Sequence, residues 1–335
     1  MHSSEGLLWT PLVSVLILTY NHENYIRDCI NSVRTDSYKH VEIICVDNGS
    51  TDGTHSVLES MVAEGVPNLQ VIRNEVGRSI PAACNQLIEA GQGDLFILFS
   101  GDDLFANNRI QRQVGHFCAC PDLQIVYANG RYMGGSFDGQ TVHDADVIAA
   151  AFAQEPQDML RFIFKNRGLL IQTVMVRRSF IKPLRYDEQV IADDWIMNIR
   201  IFGKLTQRNQ YAFFDEEVFL YRRHDSNVGH NFPRQSASMV EAIEKFYHFP
   251  DRRQELGDIY WLQVRAGFAT YKLQYVRLVT HYFLKSMQYD FKVGRIVQYF
   301  RLLCIADMRS YRMLRPAFVF LRGLWRGLKK SRIQT

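Results

Sequence analysis

Four short apolar runs set the rhythm of the first third of the chain. They begin at Val13 (VSVLILT), Val41 (VEIICV), Leu69 (LQVI) and Leu95 (LFILF), at intervals of 28, 28 and 26 residues. Between them the period lengthens to that of a helix. Ile26, Ile30 and Val33 fall on one face at i, i+4 and i+7, and Val57, Leu58, Met61 and Val62 do the same after the second run, with polar residues opposite. Strand and helix alternating at this spacing predict parallel βαβ units. Runs that are apolar at nearly every position are strands buried on both faces, as in a parallel sheet covered by helices. Further helices are expected over Asn107–Cys118 and Asp193–Phe202, and a strand-like run at Val218–Leu220. From Gln235 onward the pattern is mostly helical and rich in long aromatic residues, with Pro250 and Gly257 expected to separate helices.

In such sheets ligands bind beyond the carboxyl ends of the strands. The polar residues there are Thr19-Tyr20-Asn21-His22, the run from Asp47 to Thr54, Asn74-Glu75-Val76-Gly77, and Ser100-Gly101-Asp102-Asp103. No GxGxxG follows the first strand and no GxxxxGK[ST] occurs, which argues against a dinucleotide-dependent dehydrogenase and a P-loop enzyme. What remains is a carboxylate-lined crevice suited to a metal-bound nucleotide. Side chains of neighbouring residues on an extended segment point to opposite sides. Of Asp102 and Asp103, one can therefore meet a divalent cation while the other faces a sugar hydroxyl. Mg²⁺ and Mn²⁺ prefer oxygen ligands and typically take one or two carboxylates plus phosphate oxygens. The alternative is that the two aspartates only cap the following helix and line a turn.

Composition excludes several classes. The chain has 335 residues, 47% hydrophobic and 22% charged, the proportions of a globular protein rather than a disordered or fibrous one. No run approaches the length of a transmembrane helix, and the N-terminus lacks a basic region and a small-residue cleavage site, so a cytosolic protein is expected. Cys29, Cys45, Cys84, Cys118, Cys120 and Cys304 form no CxxC pair and read as reduced core residues. The net charge of +4 hides an imbalance: residues 1–230 carry 20 Lys/Arg against 28 Asp/Glu, and residues 231–335 carry 19 against 7. Two regions of opposite charge face different partners.

The segments VSVLILTYNHENYIRDCINSV, VEIICVDNGSTDGT, NEVGRSIPAACNQLIEAGQGDLFILFSGDDLF, ADDWIMNIRI and YRRHDSNVGHN together resemble family 2 glycosyltransferases. The resemblance covers about residues 11–230 in the family's order. It implies an α/β GT-A fold, a mostly parallel sheet flanked by helices, with residues 231–335 as a basic, mostly helical C-terminal region. It also implies an inverting enzyme that moves a sugar from a nucleotide-diphospho-sugar, with UDP as the leading nucleotide, to a glycan or lipid-linked hydroxyl. Carried over by position, Thr19, Tyr20 and Asn21 pack along the nucleotide, Asp47 and Asn48 lie by the base, Asp102 meets the ribose, Asp103 binds Mn²⁺ or Mg²⁺, and Asp194 is the catalytic base. Two positions depart from the family. Asn48 stands where many members have an Asp that accepts from the uracil imide, and Asn both accepts and donates. Cys84 stands where many carry an Arg that assists the diphosphate, and Arg78 is the candidate replacement.

Displacing a nucleoside diphosphate requires negative charge to be stabilised on the leaving group, which a cation bridging the phosphates does. Inversion needs one carboxylate to take the acceptor's proton, and a helix N-terminus keeps Asp194 ionised for that task; the bland alternative is a first-turn aspartate favoured by the helix dipole. His224 is a candidate metal or diphosphate ligand, Arg222 or Arg223 a phosphate clamp, and Trp195 either an acceptor-stacking residue or a core residue behind the base. A related sugar nucleotidyltransferase would need a Gly-rich basic loop after the first strand, which is missing. A non-catalytic scaffold of the same fold stays open.

Beyond Asp307 no acidic residue occurs, and Arg309, Arg312, Arg315, Arg322, Arg326, Lys329, Lys330 and Arg332 alternate with Phe318, Leu321, Trp325 and Leu328. Basic residues mixed with Trp, Phe and Leu suggest an anchor on an anionic membrane surface, where a polyprenyl-linked acceptor would be presented. The alternative is a solvated terminal helix. No nucleic-acid-binding motif accompanies the charge.

Overall fold

The computed structural model describes residues 9–106, 108–165, 168–189, 193–224, 232–271 and 276–306. The chain divides into two compact units, Met1–Gly229 and His230–Thr335.

The four apolar runs form β1 (Val13–Thr19), β2 (Val41–Asp47), β3 (Leu69–Arg73) and β4 (Leu95–Ser100). β1 lies between β2 and β4, parallel to both, and β2 also pairs with β3. The registers Thr19↔Asp47, Asp47↔Arg73 and Leu18↔Ser100 align their carboxyl ends. Helix α1 (Ile26–Arg34) buries Ile26, Cys29, Ile30 and Val33 against the sheet. Helix α2 (Thr54–Ala63) buries Leu58 and Met61, but Val62 is 48% exposed, so the apolar face of α2 is narrower than its pattern predicts. Helix α3 (Ile80–Ala90) starts from Ser79, whose hydroxyl accepts from Ala82 N.

Beyond β4 the structure departs from a simple βα alternation. A two-residue strand, β5 (Leu104–Phe105), intervenes before α4 (Arg109–Ala119). That helix begins later than the pattern predicts because Asn108 turns left-handed at φ 53°. Its first amides are satisfied from outside, since Ile110 N and Gln111 N donate to the Asp36 carboxylate at 2.7 and 3.3 Å. There follow β6 (Ile125–Met133), α5 (Ala145–Phe152), α6 (Pro156–Lys165), β7 (Met175–Arg177), α7 (Arg178–Ile181), α8 (Asp193–Lys204) and β8 (Tyr211–Arg222). The eight strands run in the order β3-β2-β1-β4-β7-β6-β8-β5. β7 is antiparallel to β4 and β6, β6 is parallel to β8, and β5 is antiparallel to β8. The sheet is therefore mostly parallel, as expected, with short antiparallel pairings at β7 and β5. The β5–β8 pairing, Leu104↔Leu220 and Phe105↔Phe219, brings the end of β8 beside Asp102 and Asp103.

Cys29, Cys45 and Cys84 are buried, as expected of core residues; Cys118 and Cys120 are exposed instead, because they sit at the solvent-facing end of α4, and the Cys304 side chain lies outside the described residues.

In the second unit, α9 (Phe232–Phe246), α10 (Arg252–Tyr271), α11 (Val276–Tyr289) and α12 (Val293–Ala306) form a helical bundle. Its aromatic residues pack on one another: Phe283 stacks on Tyr299 at 4.1 Å and Tyr260 on Tyr289 at 5.7 Å. Pro250 falls between α9 and α10, but Gly257 lies inside α10 and breaks nothing. It is needed for close approach: a Cβ there would lie 2.5 Å from Asp290 Cβ. No helix among the described residues is long and apolar enough to cross a membrane. The basic stretch 307–335 lies outside the described residues.

Candidate active site

Thr19 and Asp47 stand side by side at the ends of β1 and β2, and both are buried. Asp47 Oδ1 accepts from Ser50 N at 3.0 Å, while Asp47 Oδ2 and Thr19 Oγ1 are buried without a hydrogen-bond partner. Two unsatisfied buried oxygens cost stability unless a ligand completes them. His55, in the first turn of α2, approaches Asp47 Oδ2 at 3.4 Å and Glu59 Oε1 at 3.3 Å. No motif in the sequence marks it.

The loops after β1 and β2 are fastened together. Asn21, left-handed at φ 55°, accepts from Thr51 N at 2.8 Å, and its own N–H donates to Ser50 Oγ at 2.9 Å. His22 N donates to Thr54 Oγ1 at 2.7 Å, and Glu23 Oε2 accepts from Gly53 N at 2.7 Å. Asn21 thus organises the scaffold, whereas Tyr20 is exposed.

Asn48 is committed in the same way. Its carbonyl accepts from Arg78 N at 2.9 Å and Asn74 Nδ2 at 3.1 Å, and its amide donates to Arg78 O at 3.0 Å. Behind this clamp the two loops touch backbone to backbone, since a Cβ on Gly49 would lie 2.5 Å from Gly77 N. The departure from the family at position 48 is therefore structural: the amide holds the 74–79 loop. Arg78 is exposed and precedes α3, so it sits in that loop and not on the helix that carries the buried Cys84.

The second cluster forms where β5 meets β8. Asp102 Oδ2 lies 3.0 Å from His224 Nε2 and 3.7 Å from His22 Nε2, and Asp102 also accepts from the Ser100 hydroxyl. Arg222 grips both aspartates through backbone and side chain, its N–H donating to Asp103 Oδ1 at 2.8 Å and its Nε to Asp102 O at 2.9 Å. The Arg222 guanidinium lies 4.9 Å from the Tyr25 ring centroid, and Tyr25 stacks on His224 at 5.0 Å. Asp102, Asp103, Arg222 and His224 are thus brought together, with His22 and Tyr25 as members that the sequence did not single out. His22 was legible only as the neighbour of Asn21 at a strand end.

The two aspartates differ. Asp103 is 0% exposed and its Oδ2 has no hydrogen-bond partner. Burial, reinforced by the charge of Asp102, pushes its carboxyl well above the usual carboxylate range, against the pull of Arg222. The imidazole of His224 pairs with Asp102. Burial likewise pushes His22 down, opposed by the charge of Asp102. No group of three His, Cys, Asp or Glu among the described residues is spaced to hold a metal unaided.

Asp194 lies in the first turn of α8 and is half-buried; Ile171 N approaches its Oδ2 at 3.5 Å. The turn that presents Ile171 is anchored by Asn198 Nδ2, which donates to Leu169 O at 2.7 Å. Trp195 corrects the stacking expectation. It is 4% exposed, donates its indole N–H to Ile163 O at 2.8 Å and meets Phe164 edge-on, so it packs behind Asp194 in the core and offers no face to a sugar.

The description Glycosyl transferase family 2 matches residues 14–184. The chain is 33% identical over 226 residues to the putative glycosyltransferase EpsE of Bacillus subtilis, covering 68% of this chain and 77% of that protein. It is 27% identical over 176 residues to an uncharacterized glycosyltransferase of Haemophilus influenzae, covering 52% of this chain and 66% of that protein, just under two thirds of its length. It is 23% identical over 220 residues to the Escherichia coli UDP-Glc:alpha-D-GlcNAc-diphosphoundecaprenol beta-1,3-glucosyltransferase WfaP, covering 66% and 80%. Among solved structures, Staphylococcus aureus TarS 1-349 superposes with a TM-score of 0.60 at 17% identity over 93% of this chain and 87% of that one, and a further structure holds UDP-GlcNAc. The mannosyltransferase PcManGT of Pyrobaculum calidifontis, in complex with GDP-Man and Mn²⁺, superposes at 0.56 and 16% identity over 87% of each chain. These likenesses establish the GT-A fold.

Proposed function

The chain belongs to glycosyl transferase family 2, and from that premise we propose that residues 11–230 form an inverting transferase acting on a nucleotide-diphospho-sugar. The acceptor is a hydroxyl of a glycan or a polyprenyl-diphosphate-linked sugar in polysaccharide assembly, a reading supported by the diphosphoundecaprenol-linked acceptor of WfaP. The observation that carries it is the convergence of Asp102, Asp103, Arg222 and His224 at the carboxyl edge of the sheet.

The residues fit a divalent cation. Asp102 Oδ2 and His224 Nε2 supply an oxygen and an imidazole 3.0 Å apart, and Asp103 Oδ2 is a buried oxygen without a partner. With so few protein ligands, phosphate oxygens of the donor complete the shell, as Mg²⁺ and Mn²⁺ commonly require. When bound, the cation stabilises the charge that develops on the leaving diphosphate. Arg222 holds the aspartates in place. The base lies by Thr19 and Asp47. Because the Asn48 carbonyl already accepts two hydrogen bonds, we assign the imide N–H to Asp47 Oδ2, which has only His55 Nδ1 nearby at 3.4 Å, a reading that favours uracil. Arg78, on the loop that Asn48 clamps, assists the diphosphate, and Tyr20 and Asn21 border the nucleotide. Asp194 takes the proton from the acceptor hydroxyl. Residues 231–335 hold the enzyme at the cytoplasmic membrane face, with the basic stretch beyond Asp307 as the contact with anionic lipid.

The test is Asp194→Asn, assayed for turnover with a UDP-sugar and for donor affinity. Turnover is expected to fall about 10²–10⁴-fold with donor affinity unchanged, the size of a lost general base, and the wild-type product is expected to have the opposite anomeric configuration to the donor. Retained turnover or a retained anomer contradicts the proposal.

A further inference from the structure

An unusual excursion follows β6. The stretch Met133-Gly134-Gly135-Ser136-Phe137-Asp138-Gly139-Gln140 places Gly134, Gly135 and Gly139 in the left-handed region, at φ 84°, 70° and 77°, where side chains are strained. The excursion is well tied down. Tyr132 N donates to Gln140 O at 2.9 Å, Gly139 N to Tyr132 O at 3.0 Å and Gly134 N to Asp138 Oδ1 at 2.7 Å. The Arg131 guanidinium bonds both Gly139 O and the Glu217 carboxylate. At the tip, among Gly, Ser and Asp, stands Phe137, 47% exposed. An apolar ring held out by a structured loop adds little to folding.

Phe137 begins a series of ring contacts. Its centroid is 5.5 Å from Tyr132, which is 5.5 Å from Tyr221, and the Arg223 guanidinium lies 5.8 Å from the Tyr221 ring. The two tyrosines are half-buried. The series leads to the carboxylates: Tyr221 directly precedes Arg222, whose N–H and Nε bind Asp103 and Asp102. Arg223 N donates to Met133 O at 2.9 Å, and a Cβ on Gly135 would lie 3.3 Å from Arg223 Cβ, so the stem of the loop rests on this end of β8. Burial pushes the Tyr221 phenol up, with Asp103 and Asp102 adding to it. Although Tyr221 and Arg222 alternate across the strand, Tyr221 is close enough to Asp103 and Asp102 to feel their charge, so the rings border the proposed diphosphate site without belonging to it.

A pyranose has an apolar C–H face and a rim of hydroxyls, which an aromatic surface edged by Arg223 and Asp138 complements. We propose that Phe137, Tyr132 and Tyr221 form a platform on which a pyranose ring of the acceptor glycan stacks. This rests on the donor diphosphate lying at Asp102 and His224, because only then does the platform adjoin the reacting carbon.

Saturation-transfer NMR tests it on the full chain with UDP and diamagnetic Mg²⁺ present, using methyl β-glucopyranoside, methyl β-N-acetylglucosaminide and geranyl phosphate as probes. Ring protons of at least one pyranoside are expected to receive saturation. Phe137→Ala is expected to weaken that binding about fivefold, about 1 kcal/mol, and Phe137→Trp to restore it. The melting-temperature rise with UDP and Mn²⁺ is expected to be the same in all three proteins, which separates the platform from donor binding. Pyranoside signals that are absent, or equal in wild type and Phe137→Ala, overturn the platform. Phe137-dependent signals on geranyl phosphate alone overturn it in favour of the prenyl chain. A wild type that UDP and Mn²⁺ do not stabilise overturns the donor placement beneath it.

Discussion

The two sides of the site spend their polar residues differently. After β1 and β2, Asn21, Glu23, Asn48, Asp52 and Thr54 are engaged in loop-to-loop hydrogen bonds, and among the described atoms there Thr19 Oγ1, Asp47 Oδ2, His22 Nδ1 and His55 Nδ1 are buried without a hydrogen-bond partner. Where β5 meets β8, backbone and stacking do the holding, and two adjacent carboxylates converge with Arg222 and two histidines. On the proposed reading, the first side is a cradle for the base and ribose of the donor. The other concentrates charge that invites a counter-ion. A nucleotide-diphosphate presents those two faces, and preorganisation of this kind lowers the cost of binding it.

Breaking the charged side has the largest expected effect. Asp102→Ala should lower turnover about 10²-fold or more with a smaller drop in melting temperature than Asp103→Ala. Asp103→Ala should lower both, because the Arg222 N–H loses its acceptor, at a cost of about 1 kcal/mol. Equal melting temperatures for the two variants would erase the distinction between them. Thermal melting and initial rates read both.

His143 offers a background measurement away from both sides. Burial pushes its imidazole down to about 4, below the ordinary value near 6.5 of the unfolded chain. The unfolded state therefore binds more protons between these values, so the contribution is full above about pH 6.5 and is lost as pH falls toward 4, roughly 3 kcal/mol in all. Denaturant unfolding of wild type and His143→Phe across that range should show a shallower loss in the variant.

The cradle side is expected to respond more gently. Asn48→Asp removes the donor to Arg78 O and sets a carboxylate against that carbonyl, so KM for the donor should rise, kcat should change little, and stability should fall by about 1–2 kcal/mol. A variant whose kcat collapses instead would mean that Asn48 takes part in the chemistry. Smallest of all, Val62→Lys on the exposed side of α2 should move stability by less than about 0.5 kcal/mol in the same unfolding assay.

Much of the cradle was legible in the sequence, because parallel strands buried on both faces announce themselves as apolar runs and their ends follow directly. Ile26, Ile30 and Val33 sit where their period predicts. The charged side was legible only as motifs. Arg222 N and Asp103 are 119 residues apart in sequence, and their meeting depends on a strand of two residues, β5, too short to leave a pattern. The antiparallel pairings of β7 were hidden for the same reason, since it has three residues. Trp195 shows the limit of residue type: an indole suits a sugar face or a core equally, and Ile163 O decided for the core. His22 and His55 carry no motif, and their proximity to Asp102 and Asp47 arises from the way the loops close.

The measurement closest to the central claim is a melting-temperature comparison with UDP alone, Mn²⁺ alone and both together, for wild type and Asp102→Asn. A ligand that binds the native state raises its stability by mass action. If the cradle and the charged side together hold a metal-bound nucleotide-diphosphate, UDP with Mn²⁺ stabilises the wild type by more than the two separate effects added, and Asp102→Asn loses that excess. A shift with UDP that is the same with and without Mn²⁺, or an excess that survives in Asp102→Asn, contradicts the account.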